Sequence, residues 1–450
     1  MAFQQGLSGL NASSKALDVI SNNVANSSTV GYKTSDAHFA DMYASALSGA
    51  GASQIGIGTS ISAIMQQYTQ GNISTTNNPL DIAINGNGFY RLSTNGSITY
   101  TRNGQFHEDK NGYIINDQGA RLTGYKADAT GLIVPSTPTD LQVNTSDIAP
   151  VETGTSVGGD YTGLKAVLNL DSRKTSPTGY VNAGNAWTAG PATGTWNPLA
   201  NTYNYSTSLD IYDSLGNSHN LTMYFVKNTT SGQWEVHANV DGTTDKHVTF
   251  TNSAGTAVNP PVLQFDTNGA LSSTTSTFNI KVDLNGVETD LGATNGANSP
   301  IGGATGFKMD FSGTTQYGSA FSNTTLKQDG YTSGRLTGLS VSTDGILQGR
   351  YSNGQTKNMG QIVLANFPNN NGLTSLGGNQ WAETSTSGQP TLGTPNTGSL
   401  GTLQSNAVEE SNVDLTAELV DMITQQRNYQ ANSQSIKTQD QIMNTLVNLR

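Results

Sequence analysis

The chain has 450 residues, of which 34% are hydrophobic and 12% charged, with a net charge of −11, no cysteine and 13 prolines. Ordinary globular chains carry about 45–50% apolar and about 25% charged residues, so the surplus of Gly, Asn, Ser and Thr implies turns and short strands, not one large core. The acidic balance excludes a phosphate-binding footprint and hence nucleic acid, the lack of Cys excludes disulfides and thiolate chemistry, and no apolar run of about 18 residues predicts membrane insertion.

The first residues, Met1 to Leu7, lack the basic and apolar regions of a cleaved secretory signal. An extracellular destination would therefore require export with the N-terminus retained. From there Phe3, Leu7, Leu10, Ser14, Leu17, Ser21 and Val24 follow one another at steps of four and three, a heptad seam. It predicts a helix about 36 Å long.

A low-complexity stretch, Ala44 to Ser62, leads into β structure. Asn87, Asn95, Asn103 and Asn111 each precede a glycine, and Asn-Gly favours two-residue hairpin turns. Phe89–Leu92, Ile98–Tyr100 and Tyr113–Ile115 alternate with these turns as short strands, the pattern of a sandwich or barrel. A second β block runs from Leu164 to Phe321, with Leu209–Tyr212, Leu221–Val226 and Trp234–Val236 as strands. Asp266-Thr-Asn-Gly and Asp283-Leu-Asn-Gly carry the start of a calcium loop without its later ligands, so turns are expected there.

A second low-complexity stretch, Pro368 to Asn406, mirrors the first. Ser411-Asn-Val-Asp414 then reads as a capping box before a second seam of Leu415, Leu419, Met422, Gln426, Tyr429, Ser433, Ile436, Asp440, Met443 and Val447. This helix is expected to be about 58 Å long, longer than a small domain, so it needs partners elsewhere. Both helices would pair and pack between subunits through Phe3, Leu7, Leu10, Leu17, Val24, Leu415, Leu419, Met422, Tyr429, Ile436, Met443 and Val447. The five histidines form no His-x-x-x-His pair, and no nucleophile elbow, phosphate loop or dinucleotide fingerprint occurs. The expectation is no enzyme, no metal and no cofactor.

The ends also carry longer motifs. Leu17-Asp-Val-Ile-Ser-Asn-Asn-Val-Ala-Asn26 with Gly31-Tyr-Lys33, and Ser411-Asn-Val-Asp-Leu415 with Met422-Ile423 and Gln426-Arg-Asn-Tyr-Gln-Ala-Asn432, resemble the two terminal signatures of flagellar rod and hook proteins. Asp18, Asn22, Asn23, Asn26, Gly31, Tyr32, Asn412, Val413, Asp414, Arg427, Tyr429 and Asn432 carry that signature. Asp213-Ser-Leu-Gly-Asn-Ser-His219, Gln328 to Leu336 and Tyr351-Ser-Asn-Gly-Gln355 resemble the hook group within the family. The resemblance is weakest from Ser176 to Tyr205, where Trp187 and Trp196 mark a variable insertion.

The resemblance implies a mainly β chain in concentric parts. Residues 1–26 and 407–450 would form a helical inner tube, and 27–75 with 367–406 an extended connecting layer. Residues 76–150 with 326–366 would form an inner β domain, and 151–325 an outer one. It implies a self-assembling hook subunit, exported unprocessed by the flagellar type III apparatus and assembled under a hook cap. The resulting extracellular, curved and flexible tube would couple rod to filament and transmit torque. Its partners would be further copies of itself, the distal rod protein and the hook–filament junction protein. Thr424, Gln425, Asn428, Asn432, Ser435 and Gln439 make a polar, uncharged helix face suited to lining a channel. Two alternatives stand beside this reading: a distal rod subunit with the same ends, and a secreted β-rich adhesin using its tryptophans.

Overall fold

The computed structural model describes residues 2–42, 56, 58–128, 130–155, 162–179, 198–252, 255–258 and 260–448. Trp187, Trp196 and most of the stretch Ala44 to Ser62 lie outside them, as does the side chain of Val447. The chain divides into two compact units, one made of Met1–Thr145, Gly338–Arg350 and Thr356–Arg450, the other of Ser146–Thr337 and Tyr351–Gln355. Both are mainly β, and the two ends are helical.

In the first unit, helix α1 (Ala2–Ala25) packs on α3 (Leu415–Asn448) and on a two-stranded ribbon of β1 (Ser35–Met42) and β2 (Gly58–Gln66). The α3 cap differs from the capping box expected at Ser411. Asp414 fills that role: its Oδ1 accepts the amides of Thr416 and Ala417, while Ser411 Oγ turns to the Val413 amide. The carboxylate sits one residue before the helix, where it reaches the free amides and the positive end of the dipole.

Beyond the ribbon, the outgoing chain pairs with the returning one. Strand β3 (Ile73–Thr75) is antiparallel to Ala407–Glu409, and β4 (Ile82–Asn85) to Thr402–Ser405. A larger sheet is built around β5 (Phe89–Thr94) and β6 (Ser97–Thr101). Its strands Thr374–Gly377 and Gln380–Ala382 come from the second low-complexity stretch. Trp381 anchors this part of the stretch in the sheet. The indole packs edge-on against Tyr68 and Phe89 at 5.8 and 5.7 Å and is 2% exposed.

The second unit is a sandwich. One sheet runs Val248–Thr251, Thr277–Val282, Phe307–Asp310, Leu164–Asn169 and Ser322–Gln328; the other runs Tyr205–Tyr212, Ser218–Lys227, Gln233–Val240 and Val262–Gln264. A shared core of Trp234, Phe225, Phe250, Phe307 and Phe311 lies between them, closed by Leu284 and Val287 of the short helix α2 (Leu284–Leu291).

Both units reuse one turn. At Asp109, Asn116, Asp213, Asp266, Ser342 and Tyr351, the amide of the first residue donates to the carbonyl four ahead. The amide of a glycine three ahead donates back to the first residue's carbonyl. Those glycines, Gly112 among them at φ 81°, occupy the left-handed region. These are three-residue hairpin loops with a glycine bulge. Asn111-Gly112, Asn268-Gly269 and Asn353-Gly354 thus close three-residue loops, and Asn95-Gly96 alone among these spans the two-residue turn expected of all. Asp266 spends Oδ1 on the amides of Asn268 and Ala270, as a turn residue does.

Candidate functional site

The helical pair is held by a seam of small residues. Gly6, Ser13, Ala16 and Asn23 are the buried positions of α1, with Gly9 half-buried between them. A Cβ on Gly6 would stand 3.0 Å from Ile436 Cγ1, and one on Gly9 2.8 Å from Asn432 Nδ2. Asn23 Nδ2 donates to Glu418 Oε1 at 2.9 Å, so α3 runs antiparallel along this face. On α3 the half-buried positions are Glu418, Met422, Gln425, Asn432, Ser433, Ile436 and Gln439.

The apolar seam read from the sequence therefore lies beside the one used within the chain. Phe3 (53%), Leu7 (44%), Leu419 (48%) and Met443 (62%) are exposed, as are Leu415 and Tyr429. Leu10, Leu17 and Val24 are half-buried, and Met422 and Ile436 belong to both stripes. Glycine and alanine give little periodic hydrophobic signal, yet they let two backbones approach closely. Of the face proposed to line a channel, Thr424, Asn428 and Ser435 are exposed. Gln425, Asn432 and Gln439 are half-buried, and Asn432 faces α1 because Gly9 leaves room for it.

The signature residues converge where α1 ends. Asn23, 1% exposed, accepts from Tyr32 Oη (3.1 Å) and the Ser35 amide (3.0 Å) at Oδ1, and donates to Ser35 O as well as Glu418. Asn22 donates to Tyr32 Oη, and Asn26 folds back on Asn22. Burial holds the Tyr32 phenol above its ordinary value. Asn412 Oδ1 accepts the Thr34 amide at 2.7 Å, and its amide group donates to Gln67 O and Thr69. Gly31 has φ 70°, and a Cβ there would come within 2.6 Å of the Asn103 amide nitrogen. Asp18 pairs with Lys15 at the surface; Arg427 is exposed and Val413 half-buried.

Below that network lies a buried ionic junction that sequence reasoning missed. Glu409 Oε1 accepts from Lys33 Nζ at 2.6 Å and the Gly71 amide at 2.9 Å, and Arg102 Nε stands 3.0 Å from Oε2. Arg102 also donates to Gly86 O and Gly88 O, and Lys33 to Thr69 O. Burial pushes the Lys33 ammonium below its usual range, with Glu409 pulling the other way. The available signals were Lys33 inside Gly31-Tyr-Lys33 and the first acid of Ala407-Val-Glu-Glu410. Among the described residues no group of three or more His, Asp or Glu could hold a metal, and no helix is long and apolar enough to cross a membrane. The geometry is that of a helix pair with an exposed apolar stripe and a buried ionic junction near the end of α1.

Residues 3–33 match the family described as flagella basal body rod protein, and 404–449 the C-terminal family of flagellar basal body rod FlgEFG proteins. Residues 83–147 match the flagellar hook protein FlgE/F/G D1 domain, and 169–331 the flagellar basal body protein FlaE D2 domain. The flagellar hook protein FlgE of Escherichia coli is 41% identical over 461 residues, with all of both chains covered. Its counterpart in Salmonella typhimurium is 40% identical over 465 residues, again covering both chains in full. That of Borreliella burgdorferi is 30% identical, covering 100% of this chain and 99% of its own.

Proposed function

Because the chain belongs to the flagellar hook protein family, we infer that its paired ends are the polymerising element of a structural hook subunit. The observation that carries this is the pair of stripes on α1 and α3. The small-residue stripe joins the two helices of one chain, and the apolar stripe beside it stays exposed for neighbouring copies. A helical tube needs such heterologous, non-closing contacts.

The assembled tube is extracellular, curved and flexible, couples rod to filament and transmits torque. Each subunit leaves through the flagellar type III apparatus without processing, is inserted under a hook cap, and meets the distal rod protein and the hook–filament junction protein at the tube's ends. Thr424, Asn428 and Ser435 are the channel-facing part of the polar face, since hydrated amides and hydroxyls hold neither apolar nor charged segments of a passing chain. Gln425, Asn432 and Gln439 serve the helix pair instead. The division into a helical tube, a connecting region, an inner β domain and an outer one rests on the two compact units and on the pairing of outgoing with returning chain.

Electron micrographs of the purified protein at high concentration test the reading. Curved tubes of uniform width are expected. Straight tubes would favour the distal rod alternative, and no polymer at any concentration would favour the adhesin.

A further inference from the structure

The motif Asp213-Ser-Leu-Gly-Asn-Ser-His219 forms a buried polar cluster in the second unit, not the one that holds the helix pair. The Asp213 side chain is fully buried. Its Oδ1 accepts the amides of Leu215 and Asn217 at 2.9 and 2.8 Å, and its Oδ2 accepts the side-chain amides of Asn217 and Asn295, both at 2.9 Å. His219 sets Nε2 3.4 Å from that same Oδ2 and Nδ1 2.7 Å from Asp241 Oδ2. With a carboxylate at each ring nitrogen, both nitrogens donate only when the ring carries both protons.

The turn so anchored abuts the two segments by which the chain enters and leaves the second unit. A Cβ on Gly216 would stand 2.6 Å from Pro150 and 3.2 Å from Thr332. Those segments bridge each other at Ile148–Gly334 and Val151–Tyr331, and Thr153 exchanges hydrogen bonds with the Tyr212 backbone. We propose that protonated His219 is a latch that holds the 213–217 turn against these two segments, and that loss of its proton loosens them.

Burial opposes the charged ring, but Asp241 and then Asp213 outweigh it and hold the His219 pKa above 6.5. Burial likewise raises Asp213, but the donors from Asn217 and Leu215 outweigh it and hold its carboxyl below 3.8. The acidic groups linked to these carboxylates and their partners are Glu152 on the entering segment, Glu288 of α2 through Asn295, and Asp210 through Asn220. A raised histidine pKa gives stabilisation that is complete below 6.5 and lost as pH rises through the folded value. A depressed carboxylate gives stabilisation lost as pH falls through its own. The latch therefore holds between the two.

The test uses full-length monomer. The His219 ring is titrated by NMR, and amide exchange at 148–153, 213–217 and 331–335, corrected for intrinsic rate, is followed over the same pH range. His219 should titrate above its ordinary value, and protection of the three segments should fall as it does so. The fall should be about tenfold where the folded midpoint stands one pH unit above that of an unhindered histidine. His219→Gln should be poorly protected and flat with pH, and Asp241→Asn should move the loss to lower pH. The Asp241 variant serves even if His219→Gln does not fold. His107→Gln, at an exposed histidine of the first unit, should keep the normal profile. A His219 that titrates at or below its ordinary value, or segments whose protection ignores its titration, would overturn the latch.

Discussion

Lys33 and Glu409 stand 376 positions apart in the sequence and meet at 2.6 Å with both side chains fully buried. Two charges taken out of water are costly unless each lone pair and proton is matched. Here Thr69 O accepts from Lys33 and the Gly71 amide donates to Glu409 Oε1, while Oε2 accepts no hydrogen bond and is balanced by the Arg102 guanidinium 3.0 Å away. Glu409→Ala would strand two cations at once, so it should destabilise the first unit by about 3–5 kcal/mol in denaturant unfolding of the monomer. Lys33→Met leaves Glu409 still bound to Arg102 and Gly71 and should cost clearly less. Equal, small losses in the two variants would mean the junction is solvated in solution.

The closeness of Gly9 to Asn432 sets the spacing of the helical pair. Gly9→Val should push α1 off α3 and abolish tubes in sedimentation and electron microscopy, while β-sheet circular dichroism is unchanged. Adding Asn432→Ala should restore part of the assembly by reopening the space. No rescue in the double variant would show that Gly9 matters for another reason.

Leu7 and Leu419 are exposed in the single chain, so Leu7→Ser with Leu419→Ser should change monomer stability by no more than about 0.5 kcal/mol each. The proposed packing would bury each leucine in the tube, at about 1.5–3 kcal/mol per side chain. The critical concentration in a pelleting assay should therefore rise at least about tenfold per substitution. An unchanged critical concentration would place the contact surface elsewhere.

Truncation separates the buried ionic junction from α3, the helix proposed to polymerise. Removal of 415–450 should leave a folded, non-polymerising monomer, whereas removal of 407–450 also takes Glu409 and the strand paired with β3. The longer truncation should melt at lower temperature by calorimetry, and identical melting would contradict the role given to Glu409.

The helical ends were legible because heptad steps survive in Leu7, Leu17, Leu419 and Ile436. The stripe that joins the helices was not, because Gly6, Gly9, Ser13 and Ala16 act by being small. Strand positions such as Phe89–Leu92 and Leu221–Val226 were visible from β-rich runs between turns. Loop type was misread at Asn111-Gly112 and Asn268-Gly269 because Asp109 and Asp266, three before the glycine, draw the following amides onto their carboxylates, and at Asn353-Gly354 because the same backbone pattern forms from Tyr351. Lys33, Arg102 and Glu409 left no joint signal, since no local pattern links residues that distant. Asn22, Asn23 and Asn412 were picked out by resemblance alone, and their hydrogen bonds show why amides are needed there.

The recurring glycine-closed turn bears on how quickly the chain finds its shape. A loop of three residues costs little entropy to close, and hairpins form in about 1–10 μs. Each hairpin of both units can thus set its register from its own neighbours. The late steps are those that join remote segments: Glu409 reaching Lys33, and α3 lying down along α1. Folding order and the proposed assembly order then coincide, with the sheets ready early and the ends, to which we assign the contacts with other copies, completed last.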